Sequence, residues 1–253
     1  TTVPQSLEEL FIEQAIAREA LRLSFAQHKE FAVGLKGIQK ERTISDAFEQ
    51  STSGQSLVNM MELDLLVGSG GVLSHAPRRE QSAKMLIDAF MPEGITEIAV
   101  DSIFMMPQLG VLANVDNPEF GAEARKAAME VFQKDCLIRL GTCIAPVGNA
   151  RSGEVVMEVE IKLGNGSIIN KSIVNNQLIR IELPYEPVKI KILPSKKMDI
   201  GSGVGQEMNA TVYGGEVGII LDGRNRPIDI PSDSKKRLEL LKEWSEAINE
   251  YPK

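Results

Sequence analysis

Gly68, Ser69, Gly70 and Gly71, followed by Val72-Leu73-Ser74-His75-Ala76-Pro77-Arg78, are the residues of this sequence best suited to chemistry, and that chemistry is anion binding by the main chain. Glycine accepts positive φ and lets the backbone approach a ligand with no Cβ in the way. Amide N–H groups left free by such a turn, beside a helix start, favour a phosphate or the phosphate-sugar part of a nucleotide. The pattern is not a Walker A loop, since no Lys-Ser or Lys-Thr follows the glycines, and its spacing is not that of a dinucleotide fingerprint. The same turn also occurs in α/β proteins that bind nothing there.

Such a turn needs a strand before it and a helix after it. Leu65-Leu66-Val67 is a short apolar run closed by glycines, which predicts a buried strand. Pro77 suits the first turn of a helix, and Ala83, Leu86, Ile87 and Phe90 recur behind it at helical spacing. Met91-Pro92-Glu93-Gly94 ends that helix, and Glu97 to Val100 predicts a second buried strand closing on Asp101-Ser102. Two strands joined by a helix are expected to lie parallel in one sheet.

The rest of the chain frames this unit. Ser6 and Glu9 form a capping box for a long amphipathic helix to about Gln27, whose Arg18, Glu19 and Arg22 read as a solvated face rather than as ligand contacts. Residues 30–39 predict an irregular strand or loop, and Thr43 to Gln50 a short helix. The apolar run from Ile103 to Ala113 is either core packing or a wall for an adenine ring. A helix is expected from Asn117-Pro118 through Leu140, stopped by Gly141. Beyond Gly148 short strands follow one another: Glu154–Leu163 and Ser167–Val174 around Gly164-Asn165-Gly166, then Leu178–Leu183, Val188–Leu193, Met208–Tyr213 and Val217–Leu221, which suggests a small barrel or sandwich. A final amphipathic helix, capped by Ser232 or Ser234, carries Leu238, Leu241, Trp244, Ala247 and Ile248.

The fold class is therefore α/β, with three expected portions: residues 1–148, a β-rich module over 149–231 and a C-terminal docking helix over 232–253. The 253 residues are 43% hydrophobic and 25% charged, an ordinary globular composition. A net charge of −7 and the absence of a basic patch argue against a nucleic-acid partner. No apolar run approaches the ~20 residues of a membrane span, and no signal peptide precedes the first helix, so cytoplasmic residence is expected. The opening Thr-Thr-Val-Pro lacks an initiator Met and suggests a processed chain or a fragment.

Other chemistry is weaker. Cys136 and Cys143 show no metal-ligand spacing with His28 and His75, and read as core residues. Ser74-His75 has no partner acid at a recognisable spacing. Asp199-Ile200-Gly201-Ser202-Gly203-Val204-Gly205 looks like a phosphate-binding Asp-x-Gly-x-Ser/Thr/Gly loop, but Ser195-Lys196-Lys197 stands where a buried strand is needed, so an exposed glycine loop is the better reading.

With these residues in view, the chain resembles the C-terminal part of the glutamate mutase MutL-type family. The resemblance lies in Gly68 through Arg79, in Pro92-Glu93-Gly94-Ile95-Thr96 and in Val100-Asp101-Ser102-Ile103-Phe104-Met105-Met106-Pro107. Asp135-Cys136-Leu137, the Asp199 loop, Gly214-Gly215 and Leu221 through Pro227 extend it over nearly the whole chain. It implies half of an actin-like ATPase, the second lobe, in which the glycine turn is the adenosine motif. It implies ATP or ADP with magnesium as cofactor, with cobalamin contact unknown, and service as a reactivating or accessory factor to an adenosylcobalamin-dependent mutase or aminomutase. Gly68, Ser69, Gly70 and Gly71 would then hold the nucleotide through N–H groups, assisted by Ser74 and Arg78. The implied partners are the mutase subunit and the N-terminal half of the same factor. That half carries the Asp-x-Gly-x-Thr motif this sequence lacks, so ATPase activity is expected only with it. The alternatives are a non-catalytic interaction scaffold with a structural glycine turn and, less favoured, a kinase using the Asp199 loop.

Overall fold

The computed structural model describes residues 3–31 and 58–251. Ser6 starts the first helix, α1 (Leu7–Phe31), its hydroxyl accepting from the Glu9 N–H at 3.2 Å. Glu9 reaches back one residue further than the capping-box pattern expects, accepting from the Gln5 N–H. The short helix expected at Thr43 to Gln50 lies outside the described residues, whereas Glu30 and Phe31 belong to α1 rather than to a strand.

The strand, turn and helix of the glycine unit form as expected. Strand β1 (Leu65–Gly68) runs parallel to β2 (Gly94–Asp101). Between them lie a one-turn helix, α2 (Gly71–Ser74), and α3 (Arg79–Phe90), so Pro77 sits just ahead of the helix cap, Arg78, rather than inside the first turn. Met91 closes α3 in the left-handed conformation, at φ 48°.

The helix expected through Leu140 stops four residues earlier. After α4 (Met106–Ala113) and α5 (Gly121–Val131), a π turn at Phe132–Cys136 gives way to β3 (Leu137–Ala145), which pairs antiparallel with β2. Leu137-Ile138-Arg139-Leu140 suits either element by periodicity, and burial between two strands decides it. Gly141 is not a helix stop. It takes φ +138° where a Cβ would run into the Gly218 carbonyl.

Downstream come β4 (Val147–Gly148), β5 (Val155–Lys162), β6 (Ile168–Val174), β7 (Leu178–Ile181), β8 (Pro187–Pro194), β9 (Met198–Asp199), β10 (Met208–Tyr213) and β11 (Gly218–Asp222), and the chain closes with α6 (Ser234–Ala247). Asp233, rather than either neighbouring serine, caps α6 by accepting from the Lys236 N–H. Two sheets result. One has the order β1-β2-β3-β11-β7, with β11 parallel to β3; the other is an antiparallel sheet in the order β10-β8-β5-β6. The first sheet thus draws strands from both sides of residue 148.

The sheets stack face to face. Along β8, Val188, Ile190 and Ile192 are buried while Lys189 and Lys191 point outward, the alternation of a sheet with one wet face. They meet Ile144, Ile181, Ile219 and Leu221 of the five-stranded sheet in one core. The opposite face of that sheet, through Ile98, Val100, Cys143 and Ile220, packs under α3, α6 and the inner side of α1. The result is an α/β protein of three layers, helices on sheet on sheet, closed by a C-terminal helix.

Candidate functional site

The glycine turn sits at the carboxyl end of β1, and the end of β2 holds it in place. Asp101, fully buried there, accepts from the Ser69 hydroxyl at 3.3 Å and from the Met105 and Met106 N–H groups at 3.2 and 2.9 Å, so one carboxylate fastens the turn and caps α4. Its carbonyl accepts from the Ser74 hydroxyl at 2.5 Å. Ser69 and Ser74 therefore brace the turn, and Ser74 is too buried to reach a ligand. Gly68 is also internal: a Cβ there would press on Leu73 and Leu86. Gly70 carries the turn at φ +106°.

What the turn presents outward is main chain. The Gly70 carbonyl accepts from Leu73 and Ser74, and the Gly71 carbonyl from His75. Among the described residues, the N–H groups of Gly70, Gly71 and Val72 donate to no group of the chain. Gly71 and Arg78 line a cleft of about 800 Å³ whose opposite wall is the start of α1, with Pro4, Leu7, Leu10 and Glu13. The Arg78 side chain stays partly exposed and pairs with Glu80 at 3.1 Å. Of the six residues expected to hold a nucleotide, the structure thus brings Gly71 and Arg78 to the cleft, sets Gly70 beside them, and uses Gly68, Ser69 and Ser74 as support.

Sequence reading missed the α1 wall and Gln81, since nothing local ties residues 4–14 to a turn more than fifty residues later. The solvated-face reading of α1 holds for Glu19 and Arg22, which pair with each other, but Arg18 turns inward to Asp88 and Glu250. Ile103, Phe104 and Val111 lie neither in the core nor on the cleft; more than half of each is exposed.

The Asp199 loop is remote. Ile200 packs against Gly94, where β2 begins, while the glycine turn is fastened to Asp101, where β2 ends. Eight residues of strand separate them by roughly 23 Å. Asp199 spends its carboxylate on the Gly201 and Gly203 N–H groups at 2.7 and 3.0 Å, the self-contained turn of an exposed glycine loop. Both cysteines are buried thiols; the Cys143 pKa is pushed up to about 12 by burial first and then by Asp222. Among the described residues no three His, Cys, Asp or Glu side chains group as metal ligands, and no helix is long and apolar enough to cross a membrane.

The family model described as MutL protein matches residues 1–136, just over half of the chain, including the glycine turn and both walls of the cleft. The chain belongs to the MutL family. The match ends at Cys136, where β3 is about to begin, and joins this MutL chain to the glutamate mutase type that its glycine segment resembles. Membership suggests an accessory factor for glutamate mutase. No curated protein and no solved structure matches this MutL chain.

Proposed function

We propose that this MutL chain is the nucleotide-clamping and partner-binding portion of an ATP-dependent reactivating factor for an adenosylcobalamin-dependent mutase. The observation that carries the reading is the set of unpaired N–H groups at Gly70, Gly71 and Val72, the last two on residues that line a cleft large enough for a nucleotide. Adenosine and its adjoining phosphate would lie along this main chain, with Arg78 at the phosphate end. Magnesium and the terminal phosphates would be met by the Asp-x-Gly-x-Thr half of an actin-like clamp. A nucleotide moves such a factor between states only by binding one state better than the other, which is how inactivated cobalamin would be released.

Calorimetric titration with ADP and magnesium tests the reading. Gly71 lies outside the left-handed region and a Cβ on it would meet nothing within 4 Å, so Gly71→Asp should fold normally while setting a carboxylate against the phosphate. Saturable binding to the parent chain, weakened at least about tenfold in the variant with an unchanged circular dichroism spectrum, is the expected result. The exposed Ile103, Phe104, Val111 and Phe120 favour a second reading, an interaction scaffold whose glycine turn is architectural. No heat with millimolar ADP would leave that reading standing alone.

A further inference from the structure

Two of the polar side chains lining the cleft are buried glutamines bonded to each other. Gln14 on α1 and Gln81 on α3 are each 1% exposed and joined side chain to side chain. The Tyr251 hydroxyl donates to Gln14 Oε1 at 2.5 Å, Gln14 Nε2 donates to Gln81 Oε1 at 3.1 Å, and the Arg78 N–H donates to the same Oε1 at 3.2 Å. Two donors on Oε1 fix the orientation of the Gln81 amide, because a flip would set its NH2 against both. Tyr251, its pKa raised by burial and by Glu250, keeps its proton and goes on donating. The remaining group is Gln81 Nε2, which donates to nothing among the described residues while Gln81 lines the cleft.

We propose that Gln81 reads the occupant of the cleft, donating Nε2–H to a ring nitrogen, N1 or N7, of a purine base. The inference rests on the nucleotide reading. Leu7, Leu10, Val72, Ala76 and Pro77 offer apolar walls for a flat ring, and Gly71 and Arg78 line the same cleft as groups suited to a phosphate. A buried donor locked in place discriminates sharply: a base with an acceptor there satisfies it, and one without leaves it unpaired.

The test is titration of ADP and its 1-deaza and 7-deaza analogues, with magnesium, into the parent chain and into Gln81→Glu and Tyr251→Phe. Gln81→Glu keeps the oxygen that Gln14 and Arg78 use and replaces the donor by an acceptor at the cost of a buried carboxylate, read as a lowered thermal midpoint; Tyr251→Phe adds no charge and keeps the assignment testable if that variant does not fold. The parent should bind ADP roughly tenfold more tightly than one of the two analogues, the worth of one hydrogen bond. Gln81→Glu should abolish that preference, and Tyr251→Phe should reduce it by unlocking Gln14. Binding of ADP by the parent with no preference, or with the same preference in Gln81→Glu, overturns the assignment and leaves the nucleotide reading intact. No binding by the parent overturns both.

Discussion

Gly141 shows how a single residue can be conformational rather than functional. Its φ of +138° and the Gly218 carbonyl beside it leave no room for a side chain in the middle of β3. Gly141→Ala adds backbone strain and steric overlap together, and should cost about 3 kcal/mol or more in a urea unfolding curve. Gly71 is the opposite case, with open space around it. A glycine count cannot separate the two, because both positions read alike until their neighbours are known. The same holds for serine. Ser69, expected to offer its N–H, and Ser74, expected to assist at the helix start, both have hydroxyls tied to Asp101.

At the level of elements, α4 and α5 form a pair with little else to hold them. Their core is Leu109, Ala128 and Cys136 with Met105, Ala113 and Phe132, and apart from the Asp101 cap they leave Phe104, Val111, Phe120 and Met129 to solvent. So small an apolar cluster resists opening poorly. Hydrogen exchange should find amides in the middle of α4 and α5 exchanging at least about tenfold faster than those of β2 and β3, by local opening rather than global unfolding. The strands of the four-stranded sheet were legible because each keeps one wet face and alternates. β3 was not, because a strand covered on both faces loses the alternation and shares its apolar run with the helix before it.

Across the whole molecule, a buried ionic network joins the family-matched half to the remainder. Asp222 at the end of β11 pairs with Arg224 and Arg226 at 2.8 Å, and Arg224 continues to Asp88 on α3, which also meets Lys84 and Arg18. Burial alone raises a carboxyl pKa, yet Arg224 and Arg226 hold Asp222, and Lys84, Arg224 and Arg18 hold Asp88, well below the usual carboxylate range. A carboxyl whose folded pKa is depressed stabilises the fold above its unfolded value, about 3.9, and loses that contribution as pH falls. The thermal midpoint should therefore stay level from about pH 7 to 5 and drop below about pH 4. Asp222→Asn leaves Arg226 buried beside a neutral partner and Arg224 with Asp88 as its remaining carboxylate. It should cost about 3–5 kcal/mol at pH 7 and flatten the acid limb, read by denaturant titration at several pH values.

Local pattern was enough for the glycine unit, the hairpin strands, the amphipathic helices and the α/β class, because glycine conformation, period-two alternation and helical spacing are properties of neighbouring residues. It was also enough for the family. Only the tertiary structure decided that β11 returns beside β3, that α1 supplies the second wall of the cleft, and which hydroxyls are spent internally. Those outcomes depend on burial and on hydrogen-bond partners brought from residues far apart in the chain, which a linear pattern does not encode locally.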